Sequence, residues 1–107
     1  MMRQTDESAL CRIVDVVQSV VRGARVILFG SHARGQATAG SDYDLLVVIE
    51  ESLDAGCKLA LRTQIRKRLL EEGILSDVLV QSEDEVRQKQ NLPGHIVRSI
   101  LREGVVL

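Results

Sequence analysis

The sequence predicts an α/β (α+β) fold in which helices cover a mixed β-sheet. Short apolar segments at 25–29 and 44–49 are rich in β-branched residues and flanked by glycine or polar turns, as expected for strands of a buried sheet. Longer segments around them carry apolar residues at helical spacing and charged residues elsewhere. Because 107 residues supply one hydrophobic core and not two, we predict a single domain over residues 1–107.

The first half of the chain begins with a helix and continues with two strands. Apolar residues recur every three or four positions over 5–22, which predicts a helix that packs on the core. The first core strand follows at 25–29, and a loop with a short helix over 35–40 leads to the second strand. The second strand, 44–49, is an unbroken apolar run, so we expect it in the middle of the sheet.

The second half contains clear signals for helix ends. Gly73 can end a long helix, and Ser82 with Glu85 forms a capping-box pattern that opens a polar one. Pro93 suits the first turn of a last helix. The predicted elements are a helix over 52–72, a strand over 75–80, helices over 83–90 and 93–104, and a closing edge strand over 105–107.

One side of the predicted helix 52–72 is strongly basic. This side is either a solvated helix face or a basic lip that attracts a triphosphate or an acidic partner. The sequence leaves both interpretations open. The residues concerned are Lys58, Arg62, Arg66, Lys67 and Arg68.

Composition argues against several functions. A net charge of −1 lacks the basic excess of a nucleic-acid-binding domain, and Phe29 and Tyr43 are too few aromatics to stack single-stranded bases. We therefore expect no direct nucleic-acid binding. No apolar run is long enough to span a membrane and no export leader is recognisable, so we expect a cytoplasmic protein.

The cysteines and histidines suggest no further chemistry. Cys11 and Cys57 lack metal-type spacing, and we expect two reduced, partly buried thiols. His32 and His95 have no metal-ligand companion at suitable spacing, so surface or capping roles are expected for both.

The stretch most typical of a chemical site lies between the first two strands. Gly30 allows a sharp turn that brings backbone N–H groups close to an anion, and Ser31 adds a hydroxyl at the start of a short helix. Asp42 and Asp44 are two residues apart and point to the same face of an extended segment. Carboxylates held this close need a cation or a proton, and Mg²⁺ prefers carboxylate and phosphate oxygens. We predict a metal-triphosphate site.

These residues resemble the signature of the minimal nucleotidyltransferases, a subgroup of the DNA polymerase β-like superfamily. The resemblance extends from about residue 26 to residue 107 and implies the nucleotidyltransferase palm as the fold. The residues that carry it are Gly30-Ser31-x-Ala33-Arg34-Gly35, followed after five residues by Ser41-Asp42-x-Asp44-Leu45.

The resemblance also implies an activity and a set of site residues. Asp42, Asp44 and a third acid, Asp77, would form the catalytic site and hold one or two Mg²⁺ ions, with ATP as substrate and pyrophosphate as product. The alternative for Asp77 is an acid at a strand edge that faces water. Arg34 would assist the phosphates or form an ion pair within its loop. The residues implied in nucleotide binding are Gly30, Ser31 and Arg34.

By the same resemblance, another molecule supplies the acceptor. The expected partner is a HEPN-domain toxin that receives AMP on a tyrosine, which would make this chain an antitoxin. The alternatives are small-molecule modification with a separate substrate-binding subunit, a non-catalytic antitoxin that acts by binding, and a nucleotide sensor. A homodimer or a hetero-oligomer with the partner is compatible with each of these, and the terminal strand is one candidate contact.

Overall fold

The computed structural model describes residues 7–38 and 40–107. Within these residues five helices and four strands form the predicted mixed sheet covered by helices. The first helix begins at residue 7 in the described range, and residues 5 and 6 of its predicted span lie outside that range. The elements are α1 Glu7–Val20, β1 Arg25–Phe29, α2 Gly30–Ala33, β2 Tyr43–Ile49, α3 Ala55–Glu71, β3 Ser76–Ser82, α4 Glu83–Lys89, α5 Ile96–Glu103 and β4 Val105–Val106.

The sheet has the strand order β3-β2-β1-β4. Strand β1 is antiparallel to both β2 and β4, whereas β2 and β3 are parallel and joined through α3. Residues 45–49 of β2 are all buried, which confirms the central position predicted from their continuous apolar run. The closing edge strand is also confirmed, as β4.

Helices cover the two faces of the sheet unequally. Side chains of a strand alternate between faces, so Leu45 and Val47 pack with α1 and α3, and Leu46 and Val48 pack with α4 and α5. The helices on the first face have 14 and 17 residues, and those on the second have 7 and 8. The second face therefore has the shorter covering layer. Within the described ranges, no helix combines the length and apolar character needed to cross a membrane.

Helix α3 has well-defined ends. The Asp54 side chain accepts a hydrogen bond from the Cys57 N–H at 2.8 Å at its start. At its end Gly73 takes φ +75°, and the Ile74 N–H donates to the Leu69 carbonyl at 2.9 Å. This pattern is a Schellman motif, which confirms Gly73 as the residue that ends the helix.

Three local predictions were wrong. The short helix between β1 and β2 lies at Gly30–Ala33, which agrees with a helix start at Ser31, but the described residues of the predicted range 35–40 form no helix. Pro93 lies in a turn before α5, and His95 caps that helix by accepting the Val97 N–H at 3.1 Å. The capping role predicted for His95 is thus confirmed. Both cysteines are exposed, whereas partial burial was expected.

Side chains cover the outer edge of β3. Three alternate carbonyls of this edge strand, which face away from β2, accept side-chain hydrogen bonds. Such contacts block pairing with a further strand. The pairs are Arg66 Nε with the Ser76 oxygen at 3.2 Å, Arg62 Nε with the Val78 oxygen at 3.0 Å, and Gln81 Nε2 with the Val80 oxygen at 2.9 Å.

These contacts change the interpretation of the basic side of α3. Arg62 and Arg66 bind the edge of β3, Arg68 donates to the Ser19 hydroxyl, and Lys58 donates to Glu85 at 2.7 Å. A freely solvated face is therefore not what the structure shows. Most of these cations hold α3 against neighbouring elements.

A capping box starts α4, as predicted. The Ser82 hydroxyl accepts the Glu85 N–H at 3.1 Å, and the Glu85 carboxylate accepts the Ser82 N–H at 3.0 Å. Desolvation favours the neutral form of Glu85, but hydrogen bonds from Lys58 and Ser82, with the charges of Lys58 and Lys89, outweigh it and lower the pKa of Glu85 to about 2. The ionised carboxylate therefore links α3, β3 and α4.

We expect Glu85→Gln to lower the free energy of unfolding by about 1 kcal/mol at neutral pH, because it weakens the cap and two ion pairs. The pKa of Glu85 is lower in the folded protein than its ordinary 4.5, so its contribution is present above about pH 4.5 and is lost as the pH falls toward 2. Urea unfolding across this range should show the two proteins converging in acid. Exposed Glu103→Gln is the control, and a Glu85→Gln deficit independent of pH would contradict the assignment.

Candidate active site

Residues from three strands meet in one row. Asp44, at the start of β2, pairs in register with Phe29 of β1 on one side and with Asp77 of β3 on the other. Phe29 and Leu46 belong to the apolar cluster beneath α4 and α5, which places the row on that less covered face of the sheet. The strand pairing therefore brings two acids together that are 33 positions apart in the sequence.

Gly30 makes room for Asp44. It adopts φ +72°, a conformation that glycine tolerates and other residues rarely adopt. A Cβ atom at this position would overlap Asp44 Oδ2 and would lie 2.9 Å from Asp44 Cγ. Sequence reasoning required a glycine so that the backbone could approach an anion, and the structure adds that a side chain here would displace a predicted metal ligand.

The short helix α2 begins directly after β1. Its N-cap residue, Phe29, provides no side-chain acceptor for the first N–H groups of the helix. Ser31 lies within this first turn and is partly buried. N–H groups at a helix start are suited to bind an anion, so phosphate binding by Gly30 and Ser31 stays a prediction that this turn is compatible with.

His32 connects this turn to β2. It is buried, with 6% of its surface exposed, and its ring stacks on Tyr43 with centroids 3.8 Å apart. Its Nε2 atom lies 3.1 Å from the Ser41 carbonyl oxygen. The expectation of a surface or capping role for His32 was therefore wrong. The sequence signal that could have indicated burial of His32 was Tyr43. Its side chain points to the opposite face of the strand from Asp42 and Asp44, where an aromatic ring needs an apolar or aromatic partner.

The three acids interact electrostatically. Burial, followed by the negative charges of Asp77 and Asp42, raises the pKa of Asp44, while the charges of His32 and Arg34 oppose the rise. Mutual repulsion among carboxylates is what was expected of this spacing. Binding a cation between them would remove that repulsion.

Arg34 follows α2 and is exposed. Its Nε donates to Gln36 Oε1 at 3.2 Å within the loop. Its charge is close enough to Asp44 to act on the pKa of that residue. Arg34 thus lies beside the candidate site. Its partner within the loop is the neutral Gln36 side chain, whereas the alternative prediction was an ion pair.

Asp77 differs from the other two acids. Its side chain is 64% exposed, and its Oδ1 atom lies 3.7 Å from Arg62 Nη2. Three carboxylates provide the hard oxygen ligands that Mg²⁺ prefers, so the residues fit such an ion chemically. Within residues 7–38 and 40–107, however, no three acidic, histidine or cysteine side chains are arranged to hold a metal. A metal site formed by these three acids therefore remains a prediction.

A cleft of about 490 Å³ opens beside Asp77. It lies between β3, the first half of α3 and the start of α5, on the face that carries the acid row. Its wall is mostly apolar, but it includes Lys58 and Arg62 of α3. At these two positions the structure agrees with the interpretation of α3 as a basic lip. The residues concerned are the apolar Phe29, Leu59, Leu79 and Ile96 and the basic Lys58 and Arg62.

Comparison with known proteins identifies the family. A family model described as "Nucleotidyltransferase domain" matches residues 10–107. The chain belongs to this nucleotidyltransferase family. The match includes most of α1, so it extends further toward the N-terminus than the resemblance, which began near residue 26. The predicted enzyme class, a nucleotidyltransferase, is confirmed.

Individual relatives agree with this result. The chain is 36% identical over 104 residues to a Methanocaldococcus jannaschii protein named "Putative protein adenylyltransferase MJ0604", covering 95% of this chain and 97% of that protein. Among solved structures, a chain of the mutant toxin-antitoxin complex MntA-HpeT matches with a TM-score of 0.58, at 21% identity over 92% of this chain and 70% of that chain. A chain of the tri-AMPylated Shewanella oneidensis HEPN toxin in complex with MNT antitoxin matches with a TM-score of 0.55, at 18% identity over 98% and 71%. These two structures support the same fold.

Proposed function

We propose that this nucleotidyltransferase transfers AMP from ATP to a hydroxyl group of a protein, in a reaction that depends on Mg²⁺. The observation that carries the proposal is the row formed by Asp44 and Asp77, with Asp42 beside it and Gly30 leaving room for the Asp44 carboxylate. The name of the Methanocaldococcus relative, a protein adenylyltransferase, supports a protein as the acceptor.

The two halves of the signature would have different roles: the first would bind phosphates of the nucleotide, and the second would bind the metal. Gly30 and Ser31 would donate to the β- and γ-phosphates, and exposed Arg34 would add a positive charge from the loop. Asp42 and Asp44 would hold one or two Mg²⁺ ions. When bound, Mg²⁺ supplies positive charge that stabilises the attacking and leaving oxygens.

Asp77 would also be a metal ligand and would help to activate the acceptor. It borders the cleft, so a hydroxyl entering there could give its proton to this carboxylate. The acceptor oxygen forms a bond to the α-phosphorus of ATP, the bond from that phosphorus to the bridging oxygen breaks, and pyrophosphate leaves with the electron pair. The chain's main contribution is to orient these groups.

The proposed acceptor is a tyrosine of a HEPN-type toxin, and the chain would act as the antitoxin of the pair in the cytoplasm. Both solved structures of similar fold come from toxin-antitoxin complexes, and one contains an AMPylated HEPN toxin with its MNT antitoxin. The open cleft beside Asp77 offers space for a protein segment that carries the acceptor. A complex of the two proteins is then the functional assembly.

The acceptor can be tested by co-expressing this chain with a HEPN-type toxin from the same organism. We expect the toxin's intact mass to increase by whole AMP groups, fragmentation to place them on tyrosine, and toxicity to fall in parallel. Asp44→Asn should leave the toxin unmodified. Neutralisation without a mass increase would contradict modification and favour occlusion by binding. Adenylylation of a small molecule, with the toxin unmodified, would also contradict the proposal.

A further inference from the structure

We propose that Arg62 is a positioning residue that holds Asp77 outside the metal cluster until metal and nucleotide bind. In this arrangement Asp77 exchanges its ion pair with Arg62 for a bond to Mg²⁺. The inference rests on the proposed function, since it assigns a step in the assembly of that same site. It accounts for the finding that the three acids are adjacent and yet not arranged as ligands within the described ranges.

The backbone fixes Arg62 in place. Its Nε donates to the Val78 carbonyl oxygen at 3.0 Å, and its Nη2 lies 3.7 Å from Asp77 Oδ1. The planar guanidinium presents these donors in a fixed fork, so the first contact orients the second. Because the anchor is a main-chain carbonyl of β3, Arg62 can remain in position when Asp77 leaves it.

The ion pair is weak enough to be exchanged. The two side chains are 39% and 64% exposed, and pairs of this kind contribute little in water. Mg²⁺ carries two positive charges and would be shared with Asp42 and Asp44, which gives Asp77 a stronger partner. Asp77 is already in register with Asp44 on the adjacent strand, about 5 Å away in backbone spacing. Rotation of one side chain is therefore sufficient, without movement of the sheet.

The exchange would link metal binding to the chemistry. While Asp77 is paired with Arg62, its carboxylate is held toward that guanidinium at the edge of the sheet. Once the metal nucleotide is bound, Asp77 joins the cluster at the edge of the cleft. Arg62 thus acts through Asp77 and does not touch the reacting atoms.

Arg66 provides a matched control. It lies one turn further along α3 and donates from Nε to the Ser76 carbonyl oxygen at 3.2 Å, so it makes the same kind of contact with the edge of β3. The ion pair with Asp77 is made by Arg62. Glutamine at either position removes one positive charge and one edge contact, and only the change at 62 releases Asp77.

The test measures binding of Mn²⁺, in place of Mg²⁺, by the loss of the free Mn²⁺ electron paramagnetic resonance signal, without added nucleotide because its phosphates would bind Mn²⁺ themselves. We expect Arg62→Gln to bind Mn²⁺ roughly three- to tenfold more tightly than the unchanged protein, because the metal no longer competes with the ion pair. Arg66→Gln should stay within about twofold. Thermal unfolding should show similar losses of stability for both variants.

An Asp77→Asn background isolates the pair. There the effect of Arg62→Gln should disappear, since no carboxylate remains to be released. The inference would be overturned if Arg62→Gln bound Mn²⁺ with the same affinity as the unchanged protein, or more weakly. This holds even if Asp44→Asn abolishes Mn²⁺ binding, as the proposed function requires. Mn²⁺ binding that survives Asp44→Asn unchanged would instead contradict the proposed metal site, and the inference with it.

Discussion

Asp44→Asn is expected to reduce nucleotidyl transfer at least about a hundredfold and to make the protein more stable at neutral pH. The loss of activity follows from removing a carboxylate proposed to bind the metal. The gain in stability follows from the pKa of Asp44, which burial and the charges of Asp77 and Asp42 raise above its ordinary 3.8. Ionised Asp44 is therefore less favourable in the folded chain than in the unfolded chain.

The pH dependence of this effect has a definite sign. Because the folded-state pKa of Asp44 is the higher one, the folded protein takes up the proton first as the pH falls, and stability increases through that range. Asp44→Asn should lack this increase. Thermal unfolding from neutral pH into acid measures the difference, with exposed Asp15→Asn on α1 as the control. An Asp44→Asn variant that is less stable at neutral pH would contradict the electrostatic account.

Gly30→Ala is expected to reduce nucleotidyl transfer about a hundredfold, as Asp44→Asn does, and to lower the free energy of unfolding by about 1–3 kcal/mol. Two physical effects combine at this position. Alanine is strained at φ +72°, and its methyl group would overlap Asp44 Oδ2. The carboxylate has to move, and the proposed metal ligand moves with it.

Gly73→Ala separates these two effects. Gly73 has φ +75°, but a Cβ atom there meets nothing within 4 Å, and it lies at the end of α3. We expect it to lose about 1 kcal/mol of stability and to keep full activity. Urea unfolding and rates of AMP transfer measure both variants. A Gly30→Ala protein with the activity of Gly73→Ala would show that the space beside Asp44 is not required.

Local signals in the sequence were sufficient for most of the secondary structure. The unbroken apolar run of β2, the glycine after α3 and the capping box before α4 each depend on residues within a few positions of one another. Those predictions were correct because the spacing of apolar residues and the capping of helix ends are local properties of the sequence. The predicted start of the last helix at Pro93 was wrong because His95 caps α5, which begins at Ile96, three residues later.

Contacts between distant segments were harder to predict. Asp77 was placed beside the Asp42-x-Asp44 pattern by resemblance, and only strand pairing shows it in register with Asp44. The burial of His32 depends on its stacking with Tyr43, eleven positions later. Arg62 belonged to a basic helix face in the sequence, and its contact with β3 requires α3 to pack along that edge. Non-local packing determines all three.

The most direct test of the central claim is transfer of label from ATP labelled at the α-phosphate, with Mg²⁺, into a lysate of the source cells. The protein is compared with its variant carrying both Asp42→Asn and Asp44→Asn, and with ATP labelled at the γ-phosphate. We predict a labelled protein band that requires α-label and both carboxylates. Labelling of that same band by γ-phosphate only when both carboxylates are present, or absence of any labelled protein despite binding of Mg-ATP, would contradict transfer of AMP to a protein.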